Sequence, residues 1–514
     1  MEVSLAVDVL VLGGGPAGAW AAIEAAEHGA TVALADKGRI GTSGATAAVN
    51  TAVIDVAPGG AARRQVIERR LEKGLGLARG DWIERMLDET HAKLHRLTDW
   101  GYVFPRDERG ALWRGNLRGP DYMQLLRRRL HKLSVKLLDH SPALELLHGD
   151  GAVVGARGVD RRNGAGWTVR AGSVVIATGG CAFMSKALGT YGLTGDGLLM
   201  GAEAGAVLSG LEFSGQYGVS HVAATVTKNL PYSWATFTDA AGRELDGGDI
   251  FELLARHLPA GPVFAVIDKA APDIQEGLRR GQPNIFLALD RQGIDPFRDR
   301  FPVTLRYEGT VRGVGGLRID SRGATSVPGL YAAGDAASRE PVVGAVSGGG
   351  GPNSTWAIAS GAWAGRSAAA YAKGLGPRLH DRLARALGQA GLTGERTLEL
   401  SECIEGVQAE MFPLARNFQR EAGDMRGALH RLNDAWRLAR RMGGARDRRA
   451  LYRSREAAAM IATARWIYSS ALARSETRGI HRRRDHQTLD LAQSHRLEID
   501  GLDEISVRPS ASAS

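Results

Sequence analysis

Gly13, Gly15 and Gly18, with Pro16 and Ala17 inside the run, form a Gly-x-Gly-x-x-Gly sequence that follows an apolar stretch, Val7 to Leu12, and opens an alanine-rich one. Asp36 stands 18 positions after Gly18, at the end of a second apolar stretch, Thr31 to Ala35. Residues of these types at this spacing can grip a dinucleotide. The glycines let backbone approach a pyrophosphate, the helix that follows offers unpaired N–H groups, and the acid takes ribose hydroxyls. Such a run is weak evidence alone; the strand before it, the helix after it and the acid at the next strand's end make it specific. Lys37, Thr42, Ser43 and Gly44, in the loop beyond Asp36, join the candidate contacts.

Two later segments extend the grip. Thr178-Gly179-Gly180 follows the apolar run Val174 to Ala177, and Gly334-Asp335 follows Leu330 to Ala333. Distant turns converging on one elongated cofactor favour FAD over NAD. In these segments the sequence resembles the succinate dehydrogenase and fumarate reductase flavoprotein family, which also includes L-aspartate oxidase and the flavoprotein subunit of adenylylsulfate reductase. The resemblance covers nearly the whole chain. Thr194-Gly195-Asp196-Gly197, Ala204-Gly205-Ala206 and Glu212-Phe213 look like a succession in the family, and Gly293-Ile294-Asp295 with Pro302-Val303 looks like the approach to its active-site strand. Arg478 to Asp485 matches its R-G-x-H-x-R-x-D signature. The resemblance implies that Thr194 and Asp196 belong to the cofactor site and that Asp335 lies near the ribitol and phosphates. It also implies that Asn353 and Ser354 open a helix whose N-terminus faces the flavin pyrimidine and stabilises negative charge there.

The departures are as informative. Where covalent members carry a flavin-linked histidine, this chain reads Gly41 to Asn50 without one, so FAD is expected to be non-covalent. Val311 to Gly316 replaces a histidine-bearing segment, Gly344 to Ser347 replaces an arginine-bearing one, and Gly248-Asp249-Ile250 lacks the family's proton-delivering arginine. Succinate or fumarate would lose bidentate carboxylate contacts here. Replacement polar groups lie in the same segments: Arg306, Tyr307, Glu308 and Arg312 on the return from the cap, with Arg339 and Glu340 beyond the second flavin motif. Asn50, His481 and Arg482 complete the candidate catalytic set, and no metal ligands are expected.

The expected activity is an FAD-dependent dehydrogenase, oxidase or reductase that acts on a small polar or anionic metabolite by two-electron transfer. The alternatives are an adenylylsulfate-reductase-like flavoprotein, or an electron-transfer subunit working with a separate iron-sulfur or ferredoxin-type protein. An oligomer is compatible with either.

These groups need elements to hold them. Val7 to Leu12 reads as a buried parallel strand, Ala19 to His28 as a helix and Thr31 to Ala35 as the next strand. Ala61 to Leu138 is largely helical; Ala152 to Val159 and Trp167 to Ala171 look like an antiparallel insertion before the buried strand Val174 to Ala177. The fold class is α/β: a discontinuous Rossmann-like FAD-binding domain, residues 1–214 and 314–380, with an inserted α+β capping domain, 215–313. A C-terminal helical domain, 395–490, and a flexible tail, 505–514, follow.

Bulk properties exclude other classes. Across 514 residues, 44% hydrophobic and 24% charged content is that of a globular protein rather than a disordered one. Cys181 and Cys403 are too few for a disulfide framework or an iron-sulfur cluster, which points to a reducing cytoplasm. No apolar run of about 18 residues suggests a membrane span, and no basic lead suggests a signal peptide. The net charge of +9 gathers at Arg437 to Arg449 and Arg478 to Arg484. Without base-stacking aromatics or a known module this reads as a solvated helical face with some arginines turned inward, or as a face for an anionic substrate or an acidic redox partner, not a nucleic-acid site.

Overall fold

The computed structural model describes residues 3–106, 110–347, 349–376, 382–393, 400–442 and 448–510. Its centre is an eight-stranded sheet. Val3–Leu12 lies parallel between Val32–Ala35 and Gly166–Ile176, and its apolar end, Val9 to Leu12, is buried because a parallel strand apolar on both faces must be covered on both. Lys136–Leu138 extends one side, and Leu330–Ala332 pairs parallel with the end of Gly166–Ile176. The registers align four carboxyl ends: Leu12 beside Ala35 and Ile176, and Ile176 beside Ala332. The glycine-bearing turns that follow these strands therefore leave the sheet along one edge, where open α/β sheets bind ligands.

Helices Pro16–Glu27 and Gly350–Leu375 pack on each other and cover one face. Trp167 to Ala171 and Val174 to Ile176, separate runs in the sequence, are one 11-residue strand. Ser173 can sit buried between them because its hydroxyl donates to the Ala368 carbonyl at 3.0 Å.

The segment from Tyr217 to Tyr307 builds a cap with its own sheet, in the order Tyr217–His221, Phe301–Tyr307, Val263–Val266, Thr236–Thr238. Its separate core includes Val219, Phe237, Leu254 and Phe301. Helices Leu400–Met411, Ala422–Ala439 and Arg448–Ala473 form the C-terminal part.

The expected flexible tail from 505 is corrected in part. Ser506–Pro509 is a strand, Val507 pairing with Ile499, and it joins a sheet with Leu497–Asp500, Leu208–Ser209 and Gly316–Leu317. Arg508 fixes it by pairing with Asp500 and Glu498. The final residues of that tail, 511–514, and the expected domain limits at 380 and 395 fall outside the described residues. Among the described residues, no helix is long and apolar enough to cross a membrane.

Candidate functional site

In the turn after Val3–Leu12, Gly13 and Gly18 leave no room for a side chain. Gly13 has φ +105°, and a Cβ there would lie 2.3 Å from the Ala177 carbonyl oxygen. A Cβ on Gly18 would lie 1.8 Å from the Gly13 carbonyl oxygen. Gly15 caps the Pro16–Glu27 helix without a side-chain hydrogen bond, leaving the helix N-terminus open to an anion. Asp36 shapes the neighbouring loop: one carboxylate oxygen accepts from Gly14 N–H at 2.7 Å, the other from Gly38 N–H at 2.6 Å and Ser43 Oγ at 2.7 Å.

Gly13, Gly15, Asp36, Gly38 and Ser43 line a cavity of about 660 Å³ that runs from Asp36 to the cap. Thr178, Ser347 and Asn353 line it too, and Thr178 Oγ1, Ser347 Oγ and both amide atoms of Asn353 are buried without a hydrogen-bond partner among the described residues. Each such group costs about 1–3 kcal/mol when left unpaired, so their convergence on one cavity fits a polar ligand that completes them. Asp335 also faces the cavity; burial pushes its carboxyl pKa up, while Arg339, its ion-pair partner, and Arg312 pull it down.

On the cap side, Glu308 is buried and accepts from Thr227 Oγ1 and Arg312. Arg312 Nη1 also meets Thr227 Oγ1 at 3.0 Å. Lys228, the next residue, donates to the Asn50 carbonyl at 2.9 Å. Burial, helped by the Arg312 charge and opposed by Glu308, brings its ammonium down to about 8.

A family model described as FAD binding domain matches residues 8–352, and one described as fumarate reductase flavoprotein C-term matches residues 418–498. The chain belongs to the succinate dehydrogenase and fumarate reductase flavoprotein family. L-aspartate oxidase of Mycobacterium bovis is 29% identical over 396 residues, covering 70% of this chain and 67% of that protein. A variant of E. coli quinol fumarate reductase FrdA has a TM-score of 0.83 at 19% identity, over 99% of this chain and 97% of that one. Adenylylsulfate reductase from Archaeoglobus fulgidus has 0.78 at 17% identity, over 100% and 97%. Both structural likenesses concern the fold.

This flavoprotein is therefore an FAD-dependent oxidoreductase. Of the cofactor residues expected from sequence, Gly13, Gly15, Pro16, Ala17, Asp36, Lys37, Ser43, Gly44, Thr178, Gly179, Asp196, Gly334, Asp335, Asn353 and Ser354 line the cavity. Gly18, Thr42, Gly180 and Thr194 do not line it. Gly18 packs under Gly13, and Gly180 against Thr310. Thr194 bridges Lys37 and Asp196, and Thr42 is exposed, bonded to the Arg39 carbonyl.

Of the catalytic candidates, Glu308 and Arg312 line the cavity; Arg306, Tyr307, Asn50, His481 and Arg482 do not. Strand alternation turns the Tyr307 ring into the core, stacked on Phe183 at 5.8 Å, while Arg306 donates to the Val222 carbonyl at 3.0 Å. The Asn50 amide is committed to the Gly281 carbonyl. Arg482 lies over the Phe418 ring. His481 is fully buried between Arg420 and the Arg474 carbonyl, and burial with the Arg420 charge drives its pKa well below the ordinary value. Sequence reasoning missed Gln216, Thr227, Lys228 and Ser347. The available signal was Lys228 itself, the one charged side chain between Val222 and Thr238.

Proposed function

We propose that this flavoprotein holds FAD without a covalent bond and oxidises or reduces a small anionic metabolite whose charge is met by Arg312 and Lys228. The observation that carries the reading is the charge balance at the cap. Two cations, Arg312 and Lys228, line the cavity there beside one carboxylate, Glu308, which is already bound by Arg312 and Thr227. An anion restores neutrality and takes the free donors.

In this reading the Gly13 to Gly18 turn and its helix hold the pyrophosphate, Asp36 the ribose and Asp335 the ribitol. Asn353 and Ser354, in the first turn of Gly350–Leu375, direct that helix's N-terminus toward the flavin pyrimidine. Bound FAD supplies a two-electron donor and acceptor. The protein's own part is to clamp the substrate, exclude water beneath the cap and manage its proton. Non-covalent binding is supported by the lining itself, which contains neither histidine nor cysteine among the described residues.

Cys181 and Cys403 are free thiols, and among the described residues no group of three or more His, Cys, Asp or Glu is placed to hold a metal. The reading therefore places the protein in a reducing cytoplasm, exchanging electrons with dioxygen, a diffusible carrier or a separate iron-sulfur protein. The Asn50 amide is spent on the Gly281 carbonyl and is not offered to a substrate.

Titration of the holoprotein with malonate and oxalate, followed by flavin absorbance, tests the proposal. Saturable perturbation in the parent, weakened at least tenfold in Arg312→Gln, is expected. Absence of any perturbation, or an unaffected Arg312→Gln variant, contradicts it.

A further inference from the structure

Within the cap end of the cavity, most ionisable groups cannot exchange a proton with a ligand. The Arg312 guanidinium is engaged by Glu308 and Thr227 and has no acceptor of its own. Glu308 is held between Thr227 and Arg312. Tyr307 and His481 point into the packed interior rather than the cavity. Asp335 is paired with Arg339. Lys37, Asp196, Glu456 and Arg453 tie one another together around the Asp36 loop.

Lys228 differs from all of these. Its ammonium makes one hydrogen bond among the described residues, to the Asn50 carbonyl, and has no carboxylate within ion-pair distance there, in contrast to Lys37 and Arg312. Its remaining protons are available to the cavity it lines. The charged groups that act on it are Arg312 and Glu308; its other close neighbours, Asn50 and Asn229, are neutral.

Its position is also fixed relative to the flavin-binding helix. Asn50–Ala52 is a short strand whose Asn50 carbonyl receives Lys228 and whose Ala52 carbonyl receives Ser354 Oγ. Ile54 N–H donates to Thr355 Oγ1 at 2.9 Å, so the same segment is stitched to the first turns of Gly350–Leu375. Asn284 holds the Ala48 carbonyl from the cap side. The ammonium is thus anchored two residues along the backbone from the contact made by Ser354, at the seam between cap and base.

We propose that Lys228 is the proton-exchanging residue of the site, touching the substrate beside the anionic group that Arg312 holds. The inference rests on the anionic-substrate reading above. When a substrate carrying C–H and X–H bonds is oxidised to C=X, bound FAD would supply the acceptor for two electrons and one proton, and the second proton would pass to the Lys228 amine. Reduction runs in reverse, with the ammonium as donor. A lysine whose charge is opposed by burial and by Arg312 holds both forms near neutral pH, which suits it to either direction.

Two measurements on the holoprotein test this. Competitive acetylation with acetic anhydride across pH, read by peptide mass spectrometry, is expected to give Lys228 a midpoint near pH 8, with malonate slowing the reaction. Malonate affinity, read by flavin absorbance, is expected to be level below that midpoint and to fall by about tenfold per pH unit above it. Lys228→Arg, which keeps the charge and cannot release its proton, is expected to flatten this profile; Lys228→Met is expected to bind weakly at every pH. Retained flavin absorbance shows that each variant is folded. A Lys228 midpoint above about pH 10, or identical profiles for parent and Lys228→Arg, overturns the inference while leaving anion binding intact. Failure of malonate to bind the parent, with Lys228 still titrating near pH 8, removes the anionic-substrate reading instead and with it the substrate contact proposed for this lysine.

Discussion

The Lys37 ammonium lies 2.6 Å from the Asp196 carboxylate and 2.9 Å from that of Glu456. One lysine, immediately after Asp36, thereby ties the Asp196–Glu203 helix and the Arg448–Ala473 helix to the loop that follows Val32–Ala35. Burial works against its charge, but Asp196 and Glu456 outweigh that and hold its pKa above the ordinary 10.5. Lys37→Met takes the shared cation from buried Glu456 and part-exposed Asp196 and is expected to cost about 2 kcal/mol in urea unfolding. Because the folded pKa is raised, that contribution is complete below 10.5 and is lost as pH rises through the folded value. The difference between parent and variant is therefore expected to stay constant from neutral pH to about pH 10 and to narrow only beyond it.

Gly18→Ala places a methyl 1.8 Å from the Gly13 carbonyl oxygen, a backbone atom with no room to yield. The turn must open, at about 1–3 kcal/mol, and the pyrophosphate contacts proposed for it would open with it. FAD affinity, measured by quenching of flavin fluorescence, is expected to fall roughly 10- to 100-fold with the helical content unchanged.

Asp485 closes the signature that begins at Arg478, and it accepts from Arg483 Nε at 2.7 Å and Nη2 at 2.8 Å. Hydrogen bonding to Arg483 holds its carboxyl well below the ordinary 3.8. Asp485→Asn is expected to cost about 2 kcal/mol at neutral pH, since Arg483 is buried. The stabilisation is present above 3.8 and is lost as pH falls through the folded value, so the two unfolding curves are expected to converge in acid.

Cys181 is fully buried, and burial pushes its thiol pKa far up; Cys403 is half-buried and raised less. A thiol reagent at neutral pH is expected to find at most one reactive cysteine in the native protein and both after unfolding. Rapid reaction of both in native protein contradicts this packing.

What could be read from the sequence was local. The turn from Gly13 to Gly18, Asp36 at its strand end, and the later Thr178 and Asp335 segments each combine an apolar run with a short polar or glycine punctuation, and each lines the cavity or supports its wall. The cap was harder. Glu308 meets Gln216 because Tyr217–His221 pairs antiparallel with Phe301–Tyr307, a register set by contacts some 90 residues apart. Which of Arg306, Tyr307 and Glu308 faces the cavity depends on that register, and a one-residue slip reverses every side chain. Lys228 carries no motif at all; only the fold brings it to Arg312. The signature at Arg478 to Asp485 was legible as a family mark, yet His481 and Arg483 within it are buried among ion pairs and backbone carbonyls rather than in the cavity.

The central claim is that the separated glycine turns form one site for one FAD, held without a covalent bond. Protein stripped of flavin, titrated with FAD and followed by fluorescence quenching, tests it most directly. Saturation at one FAD per chain, with all the flavin released to the supernatant on acid precipitation, is the expected result. Folded protein that shows no saturation, or flavin that stays with the acid pellet, contradicts it.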